Sequence, residues 1–167
     1  MAETEVQERA RSLFLDDANY LGCAETTLVA LKEALGLPDP SNSSAVMALN
    51  GGVAYSGGVC GAISGSAVAA GLLAERLAPD HQSAKRLARH ITADLIDDFR
   101  REFGAVNCRE LIGRDLGTQE QHDAFIASGI WRTVCMRQIE FAAGRMAFLG
   151  QELTRNGIDR GIAEPPR

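Results

Sequence analysis

No CxxC pair occurs anywhere in this chain; its four cysteines stand apart at Cys23, Cys60, Cys108 and Cys135. That spacing argues against a zinc finger or a thioredoxin-type dithiol, since both draw two thiols from one turn of backbone. An excess of basic residues is also missing. With 17 basic against 22 acidic side chains the net charge is -5, which argues against nucleic acid or an anionic membrane surface as the main partner. Residues 40–74 carry no charge at all, yet seven glycines and several serines interrupt them between Gly51 and Gly71. The stretch lacks the sustained leucine-like hydrophobicity of a membrane span, so no membrane insertion is expected. At the amino terminus Glu3 and Glu5 stand where a signal peptide needs a basic flank and an apolar run. The expectation is a cytoplasmic protein. Thiols are kept reduced there, which favours metal ligation, reversible oxidation or burial over structural disulfides.

Strand signals are absent as well: there is no run of alternating β-branched residues, no internal repeat and no low-complexity tract beyond a glycine-rich loop. The periodicity is helical instead. Val6, Ala10, Leu13 and Phe14 mark one amphipathic helix, and Ala24, Thr27, Leu28, Leu31 and Leu35 a second that Gly36 stops. A short helix is predicted from Ser44 to Leu49. A Gly/Ala-rich central helix follows from near Cys60 to about Leu77, its small side chains allowing neighbouring backbones to approach. Asp80 caps a long helix with apolar positions Ala84, Leu87, Ile91, Leu95 and Phe99, ended by Gly104. Cys108 to Ile112 reads as a single turn, and Thr118 with Gln121 as a capping box. One last continuous helix is predicted over 130–154, with Trp131, Cys135, Gln138, Ala142, Met146, Leu149 and Leu153 in a stripe, closed by Asn156-Gly157 before a mobile tail. The fold expected for 1–167 is a single all-α domain, a bundle of five to seven helices.

A lone free cysteine is most simply a small buried core residue. Four placed as these are point further. Cys60 follows Gly57-Gly58 at a helix start, where unpaired N–H groups and the helix dipole favour a thiolate, so Cys60 is the expected nucleophile or lead ligand. Cys23 lies a turn past Asn19, the expected N-cap, and Cys108 follows Asn107 at another helix start. Cys135 is expected mid-helix on the inward stripe. Converging at one end of the bundle, four thiolates suit an iron-sulfur cluster or zinc, and two close pairs suit reversible disulfides. The rival is a non-catalytic accessory or adaptor module whose cysteines hold structural zinc or merely pack.

The pattern of Cys23, then Cys60-Gly61-Ala62-Ile63-Ser64-Gly65, then Cys108 and Cys135 resembles the family known by its C_GCAxxG_C_C cysteine signature. The resemblance runs over roughly 12–145, and Cys108-Arg109-Glu110-Leu111-Ile112-Gly113 resembles the family's third-cysteine segment. It implies a redox-active protein, with a transporter-associated partner because members often lie beside transporter genes. A similar domain in split-Soret cytochromes associates its thiolates with an iron-sulfur cluster. No CxxCH motif is present, so haem is not implied.

The loop over 50–58 lacks the lysine and Ser/Thr of a phosphate-binding loop, and no strand precedes it, so it reads as a loop that lets backbones pack. His81, His90 and His122 have no metal-pair spacing and are expected at the solvated surface. Arg109 and Glu110 follow Cys108 directly, placed either to tune its thiol or to form an exposed ion pair. The long stripes on 80–103 and 130–154 leave an apolar margin that suggests a homodimer. No residue pattern names the redox partner.

Overall fold

Turn and cap chemistry fixes most element ends. The Asp80 carboxylate accepts the Ser83 N–H at 2.8 Å and opens the longest early helix, which Gly104 closes in the left-handed region at φ 78. Thr118 and Gln121 exchange side-chain to backbone hydrogen bonds in a capping box. In the computed structural model, which describes residues 1–18 and 20–156, the described residues form seven α-helices and two 3₁₀ turns without a sheet. The helices are α1 Glu3–Leu15, α2 Cys23–Ala34, α3 Gly61–Leu77, α4 His81–Phe103, α5 Cys108–Ile112, α6 Gln119–Ser128 and α7 Val134–Asn156; the 3₁₀ turns are Ser44–Leu49 and Ile130–Arg132. This is an all-α bundle. No helix among the described residues is long and apolar enough to cross a membrane.

The Gly/Ala-rich α3 lies against α2, α4 and α7. Its glycines set that packing: a Cβ at Gly65 would stand 2.4 Å from the Ala24 carbonyl oxygen, so the two backbones touch where only hydrogen fits. α2 is buried on every face from Ala24 to Lys32 and is the most enclosed helix. The α4 stripe of Leu87, Ile91, Leu95 and Phe99 is consumed by one hydrophobic cluster, to which α7 adds Met136, Ile139, Ala142 and Met146.

Two expectations change. The last helix is not continuous over 130–154: Gly129 turns left-handed at φ 68, Ile130–Arg132 winds as a 3₁₀ turn, and α7 begins only at Val134. Thr133 makes the break, because its N–H and its hydroxyl both bond the Ile130 carbonyl at 3.2 Å and hold it off the helical path. The α2 cap is Gly22, whose N–H is taken by the Glu25 carboxylate at 3.0 Å. Asn19, Gly157 of the expected Asn156-Gly157 stop and the tail lie outside the described residues.

Candidate thiol site

Each of the four cysteines sits where a helix begins. Cys23 and Cys108 are the first residues of α2 and α5, Cys60 is the N-cap of α3, and Cys135, expected mid-helix, is the second residue of α7. A short backbone clamp ties two of these starts together. Val59 and Asn107 form an antiparallel bridge, the Cys60 N–H donates to the Val106 carbonyl at 2.8 Å, and the Cys108 N–H donates to Gly58 at 2.7 Å. The start of α3 also rests on Cys23: a Cβ at Gly61 would stand 2.4 Å from the Cys23 Sγ. Only glycine permits that approach.

Cys23, Cys108 and Cys135 line one cavity of about 460 Å³. Cys60 lies deeper, 3% exposed, with its thiol 3.7 Å from Gln138 Oε1. Burial is the largest influence on all four thiols and pushes each above its ordinary value. Mutual repulsion adds to it: Cys23, Cys108 and Cys135 all raise Cys60, Cys23 adds to the burial that brings Cys108 to about 12, and Cys23 and Cys108 raise Cys135. A charge placed on one sulfur is therefore felt by the others.

The expectation of Cys60 as an open, thiolate-prone residue is overturned. Its helix-start position is real, but the packing of α3 under Gln138 seals it, and desolvation outweighs the N–H groups of the helix end. Cys23 is the one cysteine residue of the four that is half-buried rather than buried. It also has the most complete polar cradle, since the backbone N–H groups of Gly51, Ala24, Cys23 and Gly61 oppose the effect of burial on its sulfur.

Sequence reasoning missed the residues that hold Cys23. Asn50 Oδ1 accepts the Ala24 N–H at 2.9 Å and the Cys23 thiol at 3.8 Å, while its Nδ2 donates to Glu25 at 2.8 Å. The Glu25 carboxylate also accepts Ser43 Oγ at 3.0 Å. Glu25 and Asn50 are each 8% exposed, and the one sequence signal was Glu25 at the third position of α2. Replacing Asn50 by alanine strands the buried Ala24 N–H and leaves Glu25 with only the Gly22 N–H and the Ser43 hydroxyl as donors, so Asn50→Ala should cost about 1–3 kcal/mol in urea unfolding. A loss below about 1 kcal/mol would show the network to be dispensable.

The loop over 50–58 does more than pack. From Gly51 to Tyr55 every residue has positive φ, including Val53 at 64, Ala54 at 49 and Tyr55 at 60, and a left-handed turn of side-chain-bearing residues costs about 1–2 kcal/mol each. The turn delivers the Gly51 N–H to Cys23 and the Tyr55 ring to the cavity. There Tyr55 meets His122 edge-on at 4.8 Å, so His122 lines the cavity wall rather than standing free in solvent. Arg109 is held by Asp115 at 2.5 Å and reaches the Ser56 carbonyl at 3.3 Å, pinning the loop to α5.

The donor set is four soft sulfurs at positive helix ends, which suits thiolate-ligated metal. A mononuclear zinc would need its donors about 2.3 Å from one point, and among the described residues no three His, Cys, Asp or Glu side chains stand that way. A larger thiolate-bound group is compatible in donor chemistry with Cys23, Cys60, Cys108 and Cys135.

Fold and site together define a helical cysteine protein with its thiols gathered at the start of four helices. The chain belongs to the C_GCAxxG_C_C family, described as "Putative redox-active protein", which matches residues 21–148. The match begins after α1 rather than near residue 12. No curated protein and no solved structure matches the chain.

Proposed function

We propose that the protein is a thiol redox carrier in which Cys23 exchanges electrons with an outside partner and a second cavity thiol, Cys108 or Cys135, completes a disulfide with it. One observation supports this reading: three helix-start thiols line a single cavity, and Cys23 is the one cysteine residue of the four that is half-buried rather than buried. The cradle of N–H groups around Cys23 offsets part of the cost of a thiolate there. Cys60 stands behind as a reserve thiol whose charge the other three suppress.

Alkylation at neutral pH should label Cys23 first by at least about tenfold in rate, with Cys60 reacting only on unfolding. Peptide mapping after brief treatment with a small maleimide decides it. Labelling of Cys60 ahead of Cys23 would sink the assignment, and a Cys23→Ser protein that still forms the same disulfide at the same rate would sink the carrier reading.

A second reading is favoured by the number and placement of the sulfurs. Cys23, Cys60, Cys108 and Cys135 would hold an iron-sulfur cluster, which when bound would supply one-electron transfer. The chain's part is then to place four helix amino termini around the accumulated negative charge and to bury three of the four cysteine residues. Anaerobically purified protein separates the two: brown colour with stoichiometric iron and sulfide supports the cluster, and colourless protein that forms a Cys23 disulfide supports the carrier. A stable, redox-inert protein with neither would favour an accessory module instead.

A further inference from the structure

The nine aromatic residues of the chain are unevenly placed. Five of them, Phe14, Tyr20, Tyr55, Phe125 and Trp131, line the cavity that the cysteines line, among them both tyrosines and the sole tryptophan. In a chain this poor in rings, that concentration is not an accident of composition. Phe14 meets Trp131 edge-on at 5.5 Å and Tyr55 meets His122 at 4.8 Å, so two ring pairs offer faces and edges to the cavity. Such walls favour a flat guest over a flexible aliphatic one. A volume of about 460 Å³ falls in the range of small-molecule sites.

The polar groups on the same walls include acceptors, the Asp16, Asp17 and Glu25 carboxylates and the Asn50 amide, and beside them hydrogen-bond donors. The Arg132 guanidinium lies 4.4 Å over the Trp131 ring and pairs with Asp17 at 3.8 Å, both residues lining the cavity, and His122 and Tyr55 add an imidazole and a phenol. Those donors, set among aromatic side chains, are complementary to a ring carrying carbonyl oxygens. The thiols supply the matching chemistry, because a dithiol yields two electrons and two protons and a quinone accepts both.

We propose that the cavity binds a planar quinone and that Cys23, with Cys108 or Cys135, reduces it. The inference rests on the thiol-carrier reading and names its acceptor. Two S–H bonds break, one S–S bond forms between Cys23 and the second thiol, and the two electrons and two protons convert the quinone's carbonyl oxygens to the hydroxyls of the hydroquinone.

Duroquinone is a suitable probe, since its fully substituted ring leaves no open carbon for arylation of a thiol. Binding is read apart from turnover in the Cys23→Ser protein, through the fluorescence of the single Trp131. The expected result is saturable quenching, weakened about tenfold by Ile126→Arg, which sets a bulky cation into an exposed position of the cavity wall. In reduced native protein under argon, one equivalent of duroquinone should yield one hydroquinone and one disulfide containing Cys23. Quenching that rises only linearly with concentration and is indifferent to Ile126→Arg overturns the quinone site. If a small hydrophilic disulfide such as hydroxyethyl disulfide still oxidises Cys23 in that case, the carrier reading survives alone. Saturable quenching without any disulfide, by quinone or by hydroxyethyl disulfide, refutes the redox step and the carrier reading together.

Discussion

The reduced protein should lose stability steeply in alkali. Unfolded thiols deprotonate near 9, whereas Cys60, Cys108 and Cys135 in the fold are held neutral by burial and by one another, Cys108 up to about 12. Above pH 9 the unfolded chain therefore binds fewer protons than the folded one, and the stability difference falls as pH rises. The sign is fixed by the direction of the shifts: this contribution is complete below the unfolded value and is lost on the way up to the folded one. Each buried thiol gives about 1.4 kcal/mol per pH unit, so three give about 4 kcal/mol per unit against a total stability of about 5–15 kcal/mol. Urea unfolding under argon should show a flat profile from pH 7 to about 8.5, a steep fall beyond it, and unfolding without denaturant near pH 11. Cys108→Ala should remove about a quarter to a third of the slope, since Cys23 is also raised by burial, and this isolates the thiols from lysine and tyrosine titration in the same range. A Cys108→Ala slope equal to that of the native protein would mean that Cys108 is not held neutral by its surroundings.

Adding one methyl group to two glycines of α3 should move stability in opposite directions. At Gly65 the new Cβ would meet the Ala24 carbonyl oxygen at 2.4 Å, a backbone atom that cannot turn aside, so α3 must lift from α2 at the point where Cys23 and Gly61 touch. Gly65→Ala should cost about 1–3 kcal/mol, an overpacking penalty that exceeds the gain in helix propensity. At Gly71 nothing lies within 4 Å of the new atom. There the propensity gain stands alone, and Gly71→Ala should stabilise by about 0.5–1 kcal/mol. Thermal unfolding of the pair decides it; equal shifts of the same sign would show that the α2–α3 contact is looser than its geometry requires. The Gly65→Ala protein should also label faster at Cys60, since lifting α3 unseals the sulfur at its N-cap.

What the sequence determined by itself is local. Asp80 has its Ser83 partner three residues away, Gly104 and Gly113 take the left-handed conformation that only a small residue adopts cheaply, and Thr118 finds Gln121 within one turn. Helix ends of that kind need no distant partner, so α3, α4, α5 and α6 were legible, as were the four cysteines and the helix starts of three of them. The long stripe that runs through 130–154 hid the break at Thr133, because periodicity does not register a single residue whose N–H and hydroxyl are both drawn to the Ile130 carbonyl. Tertiary structure decided the rest. Whether a helix-start thiol is exposed or sealed depends on what packs over it, which is how Cys60 comes to be buried at the N-cap of α3. The groups that hold Cys23 come from three separate segments: Glu25 from its own helix, Asn50 and Gly51 from the left-handed loop, and Gly61 from α3. Side chains so far apart in the chain are joined only when α2 and α3 close to backbone contact, and no periodicity along the sequence encodes that meeting.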